Sequence, residues 1–175
     1  MKKATLTNKE YDSYYEIYLQ LVDDETELLK GFEQEFENNY EFYRNIPVEK
    51  LHYQYAKGKW TPKEVLQHII DTERIFCYRA LRIARKDFTE LPGFDQDAFV
   101  PTSYANLKSL DQLLNEYKSL RLANIALYAG FNSEMLLYMG KATNGPISVR
   151  AIPFTLMGHE RHHINLFKNK YKIIL

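Results

Sequence analysis

Apolar residues recur along this chain at helical spacing, and strand-like alternation is weak throughout. Tyr14, Tyr15, Tyr18 and Leu19 predict a short helix over about 10–22. A second helix is predicted over about 25–44, with Asp24 as its cap, Glu27 three residues on, and Pro47 just past its end. Thr61-Pro62-Lys63-Glu64 is a stronger start signal. It places a capping Thr, a Pro at the first helical position and a Glu at the third, and opens a helix to about Arg85. Leu91-Pro92-Gly93-Phe94-Asp95 and Pro101 mark a long loop. Ser109 and Gln112 form a second capping box, opening a helix to about Ala129. Asn144-Gly145-Pro146 reads as a turn. Ser148 then caps a last helix to about Lys170, with Pro153 in its first turn or so, where a missing N–H costs little. Four long helices predict an all-α fold, a four-helix bundle with the short first helix packed across it, in a single domain over 1–175.

The inward faces of two helices carry the chemistry. On the last helix, Ile152, Leu156, His159, His163, Leu166 and Lys170 form a heptad-like stripe that faces a bundle seam. His159 and His163 lie one turn apart in its middle, while His162 falls to one side and is the weaker ligand candidate. Val65, His68, Thr72, Ile75, Arg79 and Ile83 form the matching stripe on the third helix, with Asp71 flanking His68. A lone His on an apolar stripe is more often a hydrogen-bonded core residue than a ligand. Three inward His on two helices are different, because each buried imidazole needs partners for two nitrogens and an apolar core supplies few. One divalent ion bound by His68, His159 and His163 satisfies all three and leaves an open position, as in catalytic zinc or nickel sites; iron and manganese also suit such a set.

The string His159-Glu160-Arg161-His162-His163 also fits the H-E-x-x-H pattern of zinc proteases. Their third ligand lies downstream, and the 12 residues after His163 contain no His, Asp or Glu; Asn169 stands where the last His of the extended form belongs. Glu160 could still act as a base toward a metal-bound water, as could Asp71. A di-iron carboxylate bundle needs two inward Glu-x-x-His pairs, and the second match, Glu49 to His52, lies in a stretch with poor helical pattern. Neither G-x-S-x-G nor a Gly-rich phosphate loop occurs. Among Arg74, Arg79, Arg82 and Arg85, a solvated face is the ordinary reading, but Arg79 lies on the inward stripe. It should pair with a buried acid or bind an anionic substrate, and Arg150 is a second candidate for that role. Trp60 is expected to pack against the start of the third helix.

Composition narrows the classes. With 23 basic and 23 acidic side chains, no global field favours nucleic acid or membrane surfaces. No stretch approaches the ~18 apolar residues of a membrane span, and the lysines at the N-terminus are not followed by an apolar run, so a cytoplasmic location is expected. The single cysteine, Cys77, forms no internal disulfide and, lying on the far side of its helix from His68, is not expected to share its metal. The 14 Tyr suggest an interior with many amphipathic contacts, or a binding surface.

Trp60-Thr61-Pro62-Lys63-Glu64-x3-His68-x2-Asp71-x-Glu73-Arg74, followed late by Gly158-His159-x2-His162-His163, resembles the DinB/YfiT-like superfamily. The segments Arg79 to Arg85 and Leu91 to Asp95 look like one branch of it, and the resemblance spans about Tyr14 to Tyr171. It implies a four-helix bundle, often a homodimer, with one divalent metal, most often zinc or nickel, on three histidines that map onto His68, His159 and His163. It carries no role for the Leu91–Asp95 loop. Characterised members include thiol-dependent S-transferases and a maleylpyruvate isomerase. The leading expectation is therefore a metal-dependent transfer of a small-molecule thiol to an electrophile, with Arg79 or Arg150 binding the thiol's carboxylate. The alternatives are a hydrolase with Glu160 or Asp71 as base, and a helical interaction protein whose His cluster is structural, closed by a fourth ligand such as Asp71.

Overall fold

Capping chemistry sets two of the four long helices where the sequence places them. In the computed structural model, which describes residues 1–87, 89–142 and 145–174, α1 spans Glu16–Leu19, α2 Leu28–Arg44, α3 Pro62–Ala84, α4 Gln96–Thr102, α5 Leu110–Ala129 and α6 Ala151–Asn169. The boxes Thr61/Glu64 and Ser109/Gln112 are both closed in both directions. Each satisfies two N–H groups that the first helical turn leaves without partners. At α6 the Ser148 hydroxyl accepts from the Ala151 N–H at 3.1 Å.

Four helices form the bundle. α2 packs on α5 and α6, and α3 packs on the same two, so α2 and α3, consecutive in the chain, lie on a diagonal. The expected four-helix bundle is therefore the observed fold. α1 crosses α6 at Gly158, where an added Cβ would overlap the backbone carbonyl of Tyr18. Only a residue without a side chain lets the two backbones come this close.

Two expectations are corrected by backbone pairing from distant segments. The second helix starts at Leu28, without a side-chain cap, because the N-terminal segment takes its first turn: the Leu28 N–H donates to Met1 O, and Lys3 and Ala4 donate to Thr26 and Asp24. The first helix shrinks to one turn at Ser13–Tyr15 followed by α1, because residues 10 and 11 pair with a strand. Ser148 N–H donates to Glu10 O and Tyr11 bridges Ile147. That strand belongs to an antiparallel hairpin, β1 Met139–Ala142 and β2 Gly145–Ser148, too short to show alternation in the sequence. Within the expected loop after α3, Asp95 accepts from the N–H groups of Asp97 and Ala98 and starts α4. Of the expected turn, Asn144 lies outside the described residues, and Gly145 and Pro146 belong to β2.

The core divides in two. One apolar cluster joins Phe32 of α2, Phe76 and Ala80 of α3, Tyr128 of α5 and Leu156 of α6 with the hairpin residue Ile147. The other joins Tyr43, Ile69, Leu113, Tyr117 and Phe167 toward the opposite end. Between them every bundle helix contributes buried polar residues: Glu35 and Asn39; His68, Thr72 and Glu73; Arg121 and Asn124; His159, Glu160 and His163. The candidate site is part of this polar layer. None of the described helices is long and apolar enough to cross a membrane.

Candidate metal centre and its cavity

Helical spacing brings His159 and His163 to one face of α6, and α3 supplies His68 opposite them. His68 Nε2 lies 3.0 Å from His159 Nε2, and His163 Nε2 lies 3.2 Å from the same atom. All three ligand atoms fall within 4.8 Å of one another. Three nitrogens held by one tetrahedral ion with bonds of ~2.0–2.1 Å would lie about 3.3 Å apart, so the spacing fits a shared cation.

Hydrogen bonding alone accounts for it less well. An imidazole nitrogen offers one lone pair or one hydrogen, in the ring plane. His159 Nε2 faces two such nitrogens at once, with ring planes at 72° and 85° to its own. The three imidazoles are also held neutral, the ligating form. Burial pushes His68 down to about 4 and both His159 and His163 well below their usual range, with the neighbouring His charges adding to the effect on the latter two. His163 Nδ1 is buried without a hydrogen-bond partner among the described residues. Aromatic rings fix two of the imidazoles: Trp60 packs on His68 at 4.9 Å and Tyr18 meets His159 edge-on at 5.2 Å. The donor set therefore fits a divalent ion. His162 is half-buried beside Tyr18 and outside the converging set.

A cavity of about 150 Å³ opens on His68 and His159. Its walls include Tyr15 and Tyr18 on one side and Thr72, Phe76 and Arg79 of α3 on another, with Gly93 and Phe94 of the Leu91–Asp95 loop closing a third. That loop thus has a place at the site which its sequence did not signal. The tyrosines of the first helix pattern do too, although their spacing read only as packing.

The other expected site residues sit elsewhere. Glu160 points away from the triad into a fully buried network. It accepts from Tyr117 Oη at 2.6 Å and from Arg121 Nη2 at 2.9 Å, while Arg121 also grips Glu73 through Nε and Nη2. Burial raises the Glu160 pKa and Arg121 and Tyr117 oppose it. With both oxygens engaged on the far side of α6, Glu160 is not placed to take a proton at the triad. Asp71 accepts from Gln67 at 2.9 Å and lines a separate cleft with Arg74 and Phe99, so it neither flanks the three nitrogens as a base nor closes them as a fourth ligand. Arg150 is engaged by both oxygens of Glu10, at 2.6 and 2.5 Å, and by Thr5, and does not line the cavity. Arg79 does line it. Glu49 and His52 are outside the converging set, and His52 is exposed.

Comparison with known proteins agrees with this picture. The DinB superfamily model matches residues 32–167. A protein of Oceanobacillus iheyensis, provisionally named a metal-dependent hydrolase, is 28% identical over 152 residues, covering 82% of this chain and 83% of its own. Among solved structures, YfiT from Bacillus subtilis, described as a four-helix bundle of unusual topology and, with reservation, as a metal-dependent hydrolase, covers 95% of this chain and 91% of its own, with TM-score 0.70 and 14% identity. The mycothiol-dependent maleylpyruvate isomerase covers 99% of this chain and 68% of its own, with TM-score 0.63 and 12% identity. At these identities the two structures establish a shared fold.

Proposed function

The chain belongs to the DinB superfamily, and from that premise we propose that it is a metal-dependent enzyme whose divalent ion is held by His68, His159 and His163, and that it transfers a small-molecule thiol to an electrophile. The convergence of three neutral imidazole nitrogens at the wall of a cavity carries this reading. Zinc or nickel suits three imidazoles with an open position. Such an ion acts as a Lewis acid and lowers the pKa of the group that occupies that position. The chain's own residues then hold the ion, shape the cavity and exclude water: Tyr18 and Trp60 fix the imidazoles, and Tyr15, Phe76 and Phe94 enclose the reactants.

Thiol transfer is preferred because no carboxylate lines the cavity among the described residues. A thiol made acidic at a metal needs no protein base. The similarity to a mycothiol-dependent enzyme supports the same choice. Hydrolysis, with water in place of the thiol, is the second reading, favoured by the names of the Oceanobacillus protein and YfiT.

Metal analysis of protein purified without an affinity tag tests the common part. About one divalent ion per chain is expected, and a His159→Ala variant should bind none. Native protein that carries no ion and gains none in titration with zinc or nickel would refute the proposal. A screen of thiols with electrophiles, run beside ester and amide substrates, separates the two readings.

A further inference from the structure

The cavity carries a positive charge that nothing in its walls balances. Arg79 is 4% exposed, yet it makes no ion pair among the described residues. The protein's other buried arginines behave differently: Arg121 holds Glu73 and Glu160, and Arg150 holds Glu10. An unpaired buried guanidinium is costly. Arg79 spends Nη2 on the Pro92 carbonyl at 2.7 Å, lies over the Phe76 ring at 4.9 Å and has Tyr15 as a hydrogen-bonding neighbour, while its Nε has no partner. Thr72 Oγ1, buried in the same cavity wall, also lacks one. Two donors without acceptors are therefore buried in the wall of a cavity that has no acidic lining residue.

Their positions relative to the triad are set by α3. Thr72 lies one turn beyond His68, about 6 Å along the axis, and Arg79 about 16 Å, shortened because helical side chains lean toward the N-terminus. An acceptor group bound there would sit at one end of a ligand whose other end reaches the imidazoles. The rings of Tyr15, Phe76 and Phe94 line the same cavity.

We propose that Arg79 and Thr72 form a carboxylate-binding arm of this cavity, which therefore selects small molecules with an apolar or aromatic body and one terminal carboxylate. The orientation of the ligand toward the triad rests on the metal-enzyme reading; the recognition of the carboxylate does not. Guanidinium and hydroxyl together offer the two directed donors a carboxylate accepts, and charge-assisted bonds of this kind are about twice as strong as neutral ones.

Calorimetric titration of the full chain with 3-phenylpropanoate, 3-phenylpropanamide and 2-phenylethyl phosphate tests it, in both the metal-loaded and the chelator-treated protein. The acid should bind at least about tenfold tighter than the amide in both forms, as expected for a charge-assisted contact in a desolvated site. Arg79→Gln should abolish that preference, Arg79→Lys should keep part of it, and Thr72→Val should reduce it about threefold. Should Arg79→Gln fail to fold, the acid-to-amide ratio and Thr72→Val decide the matter. Equal binding of acid and amide by the wild-type protein, or a preference that survives in Arg79→Gln, overturns the proposal. Phosphate binding tenfold tighter than the acid overturns the carboxylate assignment. His159→Ala keeps the two readings apart, since a variant without metal should retain the acid preference. If native protein binds no ion but prefers the acid, only the metal reading fails; if it binds an ion without the preference, only the arm fails.

Discussion

His159 and Glu160 are neighbours on α6, both buried, and they face opposite polar clusters with opposite properties. Glu160 belongs to a network in which Arg121 of α5 holds Glu73 of α3 and reaches Phe32 O of α2, with Tyr117 and Asn124 donating to the carboxylates. Every charge there has a partner, and the network ties all four bundle helices together. His159 belongs to a cluster whose nitrogens crowd one another, beside a cavity containing an unpaired arginine and a threonine hydroxyl without an acceptor. Most buried polar groups in folded proteins are hydrogen-bonded to protein or ordered water, so unpartnered ones call for an explanation. The first cluster is satisfied from within the fold, and the second is where the proposed ion and ligand would bind.

This contrast can be tested by removing one member at a time. Arg121→Met should have the largest effect, because it leaves Glu73 and Glu160 buried without their cation. A loss of about 3–5 kcal/mol in urea unfolding is expected, with metal stoichiometry unchanged in the protein that remains folded. A loss below about 1 kcal/mol would show that the network does not hold the helices.

Acidification acts on the other cluster. The folded-state pKa of His68 is about 4, below its unfolded value near 6.5, so between those limits the unfolded chain binds the extra proton. Stability of the chelated protein should therefore fall as the pH drops from about 6.5 to about 4, by on the order of 3 kcal/mol from His68 alone. Melting temperature followed across this range checks it, and a bound ion should shift the loss to lower pH by competing with protons. A flat profile in the chelated protein would contradict the burial of neutral imidazoles.

Glu160→Gln keeps the shape of the network but removes one charge, and a loss of about 1–2 kcal/mol is expected with metal content intact. Loss of the ion in this variant would return Glu160 to the metal site. His159→Ala should be the mildest for the metal-free fold, within about 1 kcal/mol, since it removes a group whose nitrogen is poorly satisfied. It should nevertheless abolish metal binding, measured by elemental analysis. If the metal-free variant unfolds as readily as Arg121→Met, the triad is structural and the contrast fails.

Much of this was legible in the sequence. The capping boxes at Thr61 and Ser109 located α3 and α5, and the stripes on α3 and α6 placed His68, His159 and His163 inward. Those signals are local: a cap acts over three residues and a helical face repeats every turn. Expectations failed where a distant segment competes for the same backbone. The early starts of the first two helices gave way to backbone pairing with β2 and with the N-terminal segment, and Asp24 and Glu27 carried no mark of that competition. The Leu91–Asp95 loop was recognisable as a loop, but not as a cavity wall whose Pro92 carbonyl holds Arg79.

The sequence by itself determined the helical periodicity, the bundle and the identity of the three converging histidines, because helix formation and amphipathic facing are set by residues within a turn or two of one another. The tertiary structure alone decided which polar groups were already satisfied. Glu160 is taken by Arg121 and Tyr117, Asp71 by Gln67, and Arg150 by Glu10, while Arg79 is left without an acid. Charge and hydrogen-bond pairing in a buried layer depends on which distant segments meet there, and residue spacing carries no information about that.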